Sequence, residues 1–137
     1  MKVTGGCFCG LITFEAEADL EKAVVCHCTD CQILTGGALR ANVVSKPDTF
    51  RLLSGELKTF VKTAESGRKR LHGFCPECGT PISSSTMGDG PSYHTIRAGI
   101  LKERDQVRPA LQIWARSKAA WVGELASVPA KPTGPES

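Results

Sequence analysis

Seven cysteines in a chain of 137 residues fall into three tight groups. Cys7 stands with Cys9, Cys26 with Cys28 and Cys31, and Cys75 with Cys78. An odd count cannot pair fully into disulfides within one chain, and a reducing compartment disfavours disulfides altogether. Short clusters brought together by folding are what metal thiolate sites look like, and such sites dictate which distant segments must meet. The amino-terminal MKVTGGCFCG lacks the apolar core of a secretory signal. No apolar run reaches the ~18 residues needed to cross a bilayer. The sequence therefore predicts a cytoplasmic protein without a membrane partner.

CPECG, residues 75 to 79, is the strongest local signal. A Cys-x-x-Cys pair followed by glycine makes a tight knuckle whose two sulfurs reach one metal at about 2.3 Å. The competing reading, a thioredoxin-type redox pair, expects a βαβ context that the flanking residues do not offer. GCFCG, residues 6 to 10, projects both cysteines from the same face of an extended segment, and its glycines permit a sharp turn. Together Cys7, Cys9, Cys75 and Cys78 complete the four-thiolate tetrahedron of a structural zinc. Cys26, Cys28 and Cys31 remain, and three protein ligands with one exchangeable position are the pattern of a catalytic zinc. Spacing favours this four-plus-three division. It also permits a grouping of Cys26 and Cys31 with the CPECG knuckle, or a fourth ligand from His27, His72, His94 or Asp30.

The rest of the chain reads as mainly β. Residues 11 to 18, LITFEAEA, alternate so that Ile12, Phe14, Ala16 and Ala18 face one way. Further strands are expected at 41–45, 50–53, 57–62, 68–74 and 92–99, with Ser54-Gly55-Glu56 turning 50–53 and 57–62 into a hairpin. A short helix over 29–35 ends at Gly36-Gly37, and a second is expected over 111–121. The reading gives one zinc-binding domain over 1–126 and a proline-rich, disordered tail over 127–137.

The formal charge of +3 counts every thiol as neutral. Seven thiolates holding two Zn²⁺ would bring it to zero, so the apparent basicity points to no nucleic-acid partner. Eight aromatics are also few for the stacking that single-stranded nucleic acid needs. Arg68, Lys69 and Arg70 read as a solvated strand, with attraction of a small anion as the alternative. His27, between two candidate ligands, points away from the metal they would share. His94 reads as packed, and Trp114 and Trp121 as anchors of the carboxy-terminal segment to the core.

GCFCG, CHCTDC, GFCPECGTPI and the stretch from Ala98-Gly99-Ile100 through Ile113-Trp114 to Trp121 occur in that order. Over roughly residues 3 to 125 the chain resembles the glutathione-dependent formaldehyde-activating enzyme family, whose domain also occurs in centromere protein V. The resemblance implies small zinc-held β-sheets like those of the Rab GTPase accessory factor (Mss-four-like) fold. It implies Cys7, Cys9, Cys75 and Cys78 as structural zinc ligands and Cys26, Cys28 and Cys31 as the open second zinc site. It further implies a carbon–sulfur lyase that joins formaldehyde to glutathione, giving S-hydroxymethylglutathione. Many relatives carry Arg directly after the third cysteine of the cluster, where this chain has Gln32.

Three functions follow as expectations. The first is a zinc enzyme of thiol–aldehyde adducts with a small thiol substrate such as glutathione. The second is a non-catalytic zinc-binding interaction module, which a fourth protein ligand such as His27 would favour. The third is a redox sensor that loses metal when the three-cysteine cluster is oxidised. No residue in the sequence is marked out as the proton-transfer group.

Overall fold

The computed structural model describes residues 1–135; the last two residues of the expected tail lie outside them. The protein is mainly β. Strands β1 (Lys2–Gly6), β2 (Thr13–Glu17) and β5 (Arg51–Ser54) form a three-stranded antiparallel sheet in the order β1-β2-β5. The larger sheet is built from β3 (Ala23–Cys26), β4 (Arg40–Val44), β6 (Lys58–Thr63), β7 (Lys69–Phe74), β8 (Pro81–Thr86), β9 (His94–Arg97) and β10 (Pro109–Ile113). Its order is β10-β3-β4-β9-β8-β7-β6. One α-helix, α1 (Thr29–Thr35), and several short 3-10 turns complete the described residues. None of the helices is long and apolar enough to cross a membrane.

The alternation over 11–18 is what locks the sheets together. Ile12, Phe14, Ala16 and Ala18 are all buried, and with Val3 and Leu20 they meet Val43, Ile82, Ile96 and Leu101 from the larger sheet and its flanks. Burying each large side chain fully stabilises by about 1.5–3 kcal/mol, so this layer carries most of the fold. Helix α1 runs as expected and stops where Gly36 takes φ +68°, its N–H capping Gln32 and Ile33 carbonyls.

Two expectations are corrected. Residues 50–53 and 57–62 do not form a hairpin. β5 pairs with β2 in the small sheet, whereas β6 pairs with β7 in the large one, so the Ser54-Gly55-Glu56 turn passes the chain between sheets. Gly55 has φ +77°, and a Cβ there would meet Ile12 Cδ1 at 2.6 Å and Leu11 O at 2.8 Å. Gly55→Ala is therefore expected to cost roughly 1–3 kcal/mol in urea unfolding. An unchanged midpoint would show that the turn tolerates a side chain. Residues 111–121 are not a helix either. Leu111 to Ile113 pair in parallel with Val24 to Cys26, and only 3-10 turns follow, at Ala115–Ser117 and Ala120–Ser127. Residues 128–135 form neither helix nor strand.

The larger sheet has two unlike faces. Val43 and Ile96 point into the core. Cross-strand partners and residues two apart share a face, so the register lays out a row on the other side: Cys26 beside Arg40, Asn42 beside Arg97, then Thr95, Ser84, His72 and Phe60.

Candidate metal centres and their cleft

Two β-turns converge to make the first centre. The β1–β2 turn closes through Cys7 N–H to Ile12 O at 3.0 Å and Gly10 N–H to Cys7 O at 3.3 Å. Its counterpart between β7 and β8 closes through Cys75 N–H to Thr80 O at 2.9 Å and Gly79 N–H to Cys75 O at 3.0 Å. Gly10 and Gly79 both take the left-handed region these turns require. The turns bring the sulfurs of Cys7, Cys9, Cys75 and Cys78 within 4.8 Å of one another. Sγ of Cys9 lies 3.6 Å from that of Cys7 and 3.7 Å from that of Cys75.

Those distances discriminate. A disulfide needs about 2.05 Å, whereas sulfurs placed tetrahedrally 2.3 Å around one ion are about 3.8 Å apart. The donor set fits a metal such as zinc. Backbone N–H groups support thiolate character: Ile12 donates to Cys7 Sγ at 3.2 Å, and Cys78 to Cys75 Sγ at 3.5 Å. Thr80, through its hydroxyl and then its backbone, holds Cys78 far below the ordinary thiol range, at about 5. Cys75 is fully buried in the main core, and Cys7 and Cys78 pack against it.

The second centre is local. Cys26 ends β3, Cys28 caps α1, and Cys31 lies in the first turn of the helix, with Cys31 N–H donating to Cys28 Sγ at 3.2 Å. Their three sulfurs also lie within 4.8 Å of one another. Burial, then the neighbouring Cys28 and Cys26, push the Cys31 thiol up to about 12. Three thiols so placed cannot all ionise without a cation among them, and a divalent metal is the fit. Among the described residues no histidine or carboxylate joins this group. His27 is fully buried, and its Nε2 lies 2.7 Å from Gln112 Oε1 on β10. Asp30 pairs instead with Lys62 at 3.1 Å.

Cys28 opens onto a cleft of about 480 Å³ lined also by Asp30, Lys62, Glu65, Trp114 and Arg116. That volume lies within the range of small-molecule sites. Arg116 faces Glu65 at 3.6 Å and lies 4.9 Å from the centroid of the Trp114 ring. Trp114 takes φ +55°, a conformation that costs a bulky residue about 1–3 kcal/mol. Gln32 does not face this cleft as a free anchor. Its amide donates to His27 O at 2.9 Å and Ser117 O at 3.0 Å, fastening α1 to the end of β3 and to the turn that carries Arg116.

The model of the glutathione-dependent formaldehyde-activating enzyme family matches residues 2–117. The chain belongs to that family. A crystal structure of a Rhodobacter sphaeroides protein is similar in fold, with a TM-score of 0.59 at 19% identity, covering 80% of this chain and 98% of that one. No curated protein matches the chain.

Other candidate residues of this formaldehyde-activating family member take structural places. His94 stacks on Phe50 with centroids 4.1 Å apart, and His72 is buried with Nδ1 3.3 Å from Arg97. Neither histidine joins a sulfur cluster. Within the basic run, Arg70 bonds Ser84 and Thr95 rather than reaching solvent freely. Trp114 and Trp121 are 43% and 55% exposed, so they do not anchor the segment in the core. The sequence reading missed Lys62, Arg116, Arg40 and Arg97. For the last two the local sequence gives no clear signal, since RANVV and HTIR mix polar and apolar residues.

Proposed function

We propose that this chain is a cytoplasmic zinc enzyme of the carbon–sulfur lyase type. Its domain over residues 1–126 makes or breaks a thiol–aldehyde adduct, with glutathione and formaldehyde, joined as S-hydroxymethylglutathione, as the leading pair. One observation carries the reading: a three-sulfur cluster with no fourth protein ligand among the described residues, opening through Cys28 onto a charged cleft. In this reading Cys7, Cys9, Cys75 and Cys78 hold a structural zinc, and Cys26, Cys28 and Cys31 hold the open one. Zinc at the open cluster would supply Lewis acidity and favour a substrate thiolate, against an ordinary thiol pKa of about 8.5.

The protein's own part is binding and orientation. Lys62 and Arg116 offer two cations and Asp30 and Glu65 two anions, each paired across the cleft. Glutathione carries two carboxylates and one ammonium, so it can engage both cations and one of the two anions. Giving up the Arg116–Glu65 pair is cheap, since both side chains are exposed and such pairs contribute only ~0–1 kcal/mol. Trp114 supplies an apolar part of the cleft wall. Gln32 keeps that wall in register with Cys28 and Cys31.

The test combines metal content with turnover. Purified protein is expected to carry two zinc ions, and graded chelation to remove them in two steps, because the open site lacks one strong bond. Adduct formation from ¹³C-formaldehyde and glutathione, followed by NMR, should fall to the uncatalysed rate after the first step while the fold persists. Metal lost in one step would count against two unlike sites. Two ions without any thiol affinity would make the chain a zinc-binding interaction module instead.

A further inference from the structure

Between the two cysteine clusters lies a second, smaller cavity of about 110 Å³. Its lining includes Gly79, next to Cys78, and Arg40, opposite Cys26 in the sheet register. Arg97 and His72 form its polar wall, while Leu34, Phe60 and Phe74 make the rest apolar. Arg40 and Arg97 are only 5% and 8% exposed. Two guanidinium groups at such depth normally require carboxylates, because burying an unpaired charge is expensive. Here neither forms an ion pair with Asp or Glu among the described residues. Both leave Nε buried without a hydrogen-bond partner.

We propose that Arg40 and Arg97 bind one small carboxylate in this cavity. The Nε–Nη edge of a guanidinium is one of its two bidentate faces for a carboxylate, and it is the Nε positions that lack partners. Arg97 is oriented by its remaining nitrogens, with Nη1 donating to Asn42 Oδ1 at 2.9 Å and Nη2 3.3 Å from His72 Nδ1. His72 adds no charge near neutral pH: burial, then Arg97 and the other cations around it, lower it to about 4. It therefore accepts from Arg97 through Nδ1 and carries its own hydrogen on Nε2. Three thiolates and one divalent ion would contribute a single negative charge beside these two positive ones, which leaves room for one further anion. The volume and the apolar walls suit formate, acetate or another carboxylate on a short stem. A tetrahedral dianion would leave oxygens facing Leu34 and the phenylalanines.

This site is separate from the cleft at Cys28 and stands or falls without the thiol chemistry. Titrating zinc-loaded protein labelled with ¹⁵N-arginine with sodium acetate, at constant ionic strength balanced by chloride, reads it directly. Saturable shifts of two Nε–H signals are expected with acetate and with formate, and none with benzoate, which exceeds the cavity. Arg97→Met should weaken acetate binding roughly tenfold or more, whereas Arg116→Gln, in the other cleft, should leave it unchanged. Acetate that moves no arginine Nε–H in the wild-type protein beyond the chloride control would overturn the proposal. So would equal shifts with acetate and benzoate. The wild-type titration decides the matter even if Arg97→Met does not fold.

Discussion

Cys78→Ser is expected to abolish the cooperative thermal transition of the protein or to move it down by tens of degrees. Sulfurs of Cys7 and Cys9 come from the turn of the small sheet, and those of Cys75 and Cys78 from a turn of the large one. A metal among them would fasten the two sheets beside fully buried Cys75. Binding to structural zinc contributes about 10–16 kcal/mol in isolated fingers. That matches the whole ~5–15 kcal/mol of stability of a typical domain. Losing one of four thiolates, with the charge balance it maintains, removes enough of this to leave the core open. Melts of metal-loaded wild type and variant, with zinc content measured alongside, check it. A variant that melts within a few degrees of wild type would show that the four-sulfur centre is not the staple.

Cys31→Ser should behave in the opposite way. It is expected to fold, to keep one tightly held zinc, and to lose adduct formation by about a hundredfold or more, since even groups that merely support metal ligands are worth 10–100-fold. Its cluster spans residues 26 to 31, closing a short loop that the β3–α1 connection already defines. Cys26, Cys28 and Cys31 also lie outside the main core cluster. Near-UV circular dichroism, zinc content and turnover measured on one preparation would separate the outcomes. Unfolding as severe as that of Cys78→Ser would make the three-sulfur centre structural and sink the enzymatic reading.

Much of this was legible in residue order because the decisive signals are local. The two cysteine turns are short, their glycines are adjacent, and the LITFEAEA alternation states which side chains enter the core. Long-range pairing was not legible. LQIWA carries no mark that Leu111 to Ile113 should pair with Val24 to Cys26 rather than coil. Gly55 looked like a hairpin glycine because a tight turn between strands needs the same φ whether or not those strands pair with each other. Arg40 and Arg97 were hidden for another reason. Arginine is almost always a surface residue, and the sheet register puts these two on the face opposite the core; only their burial in the folded structure shows that this face is covered.

The wide separation of the two halves of the four-sulfur centre also sets a clock on biosynthesis. Translation proceeds at ≈ 5–20 residues per second, so Cys7 and Cys9 wait roughly 4 to 14 seconds after leaving the ribosomal peptidyl-transferase centre before Cys78 is added. During that interval the nascent chain presents two thiols whose partners do not yet exist. The parallel pairing of β10 with β3 adds a further delay, because the larger sheet gains its last strand only when residues 109–113 arrive. Contacts so distant along the chain make for slow folding. A metal held by this centre would therefore have to come from a donor that either tolerates half-built ligand pairs or delivers its ion after synthesis is nearly complete.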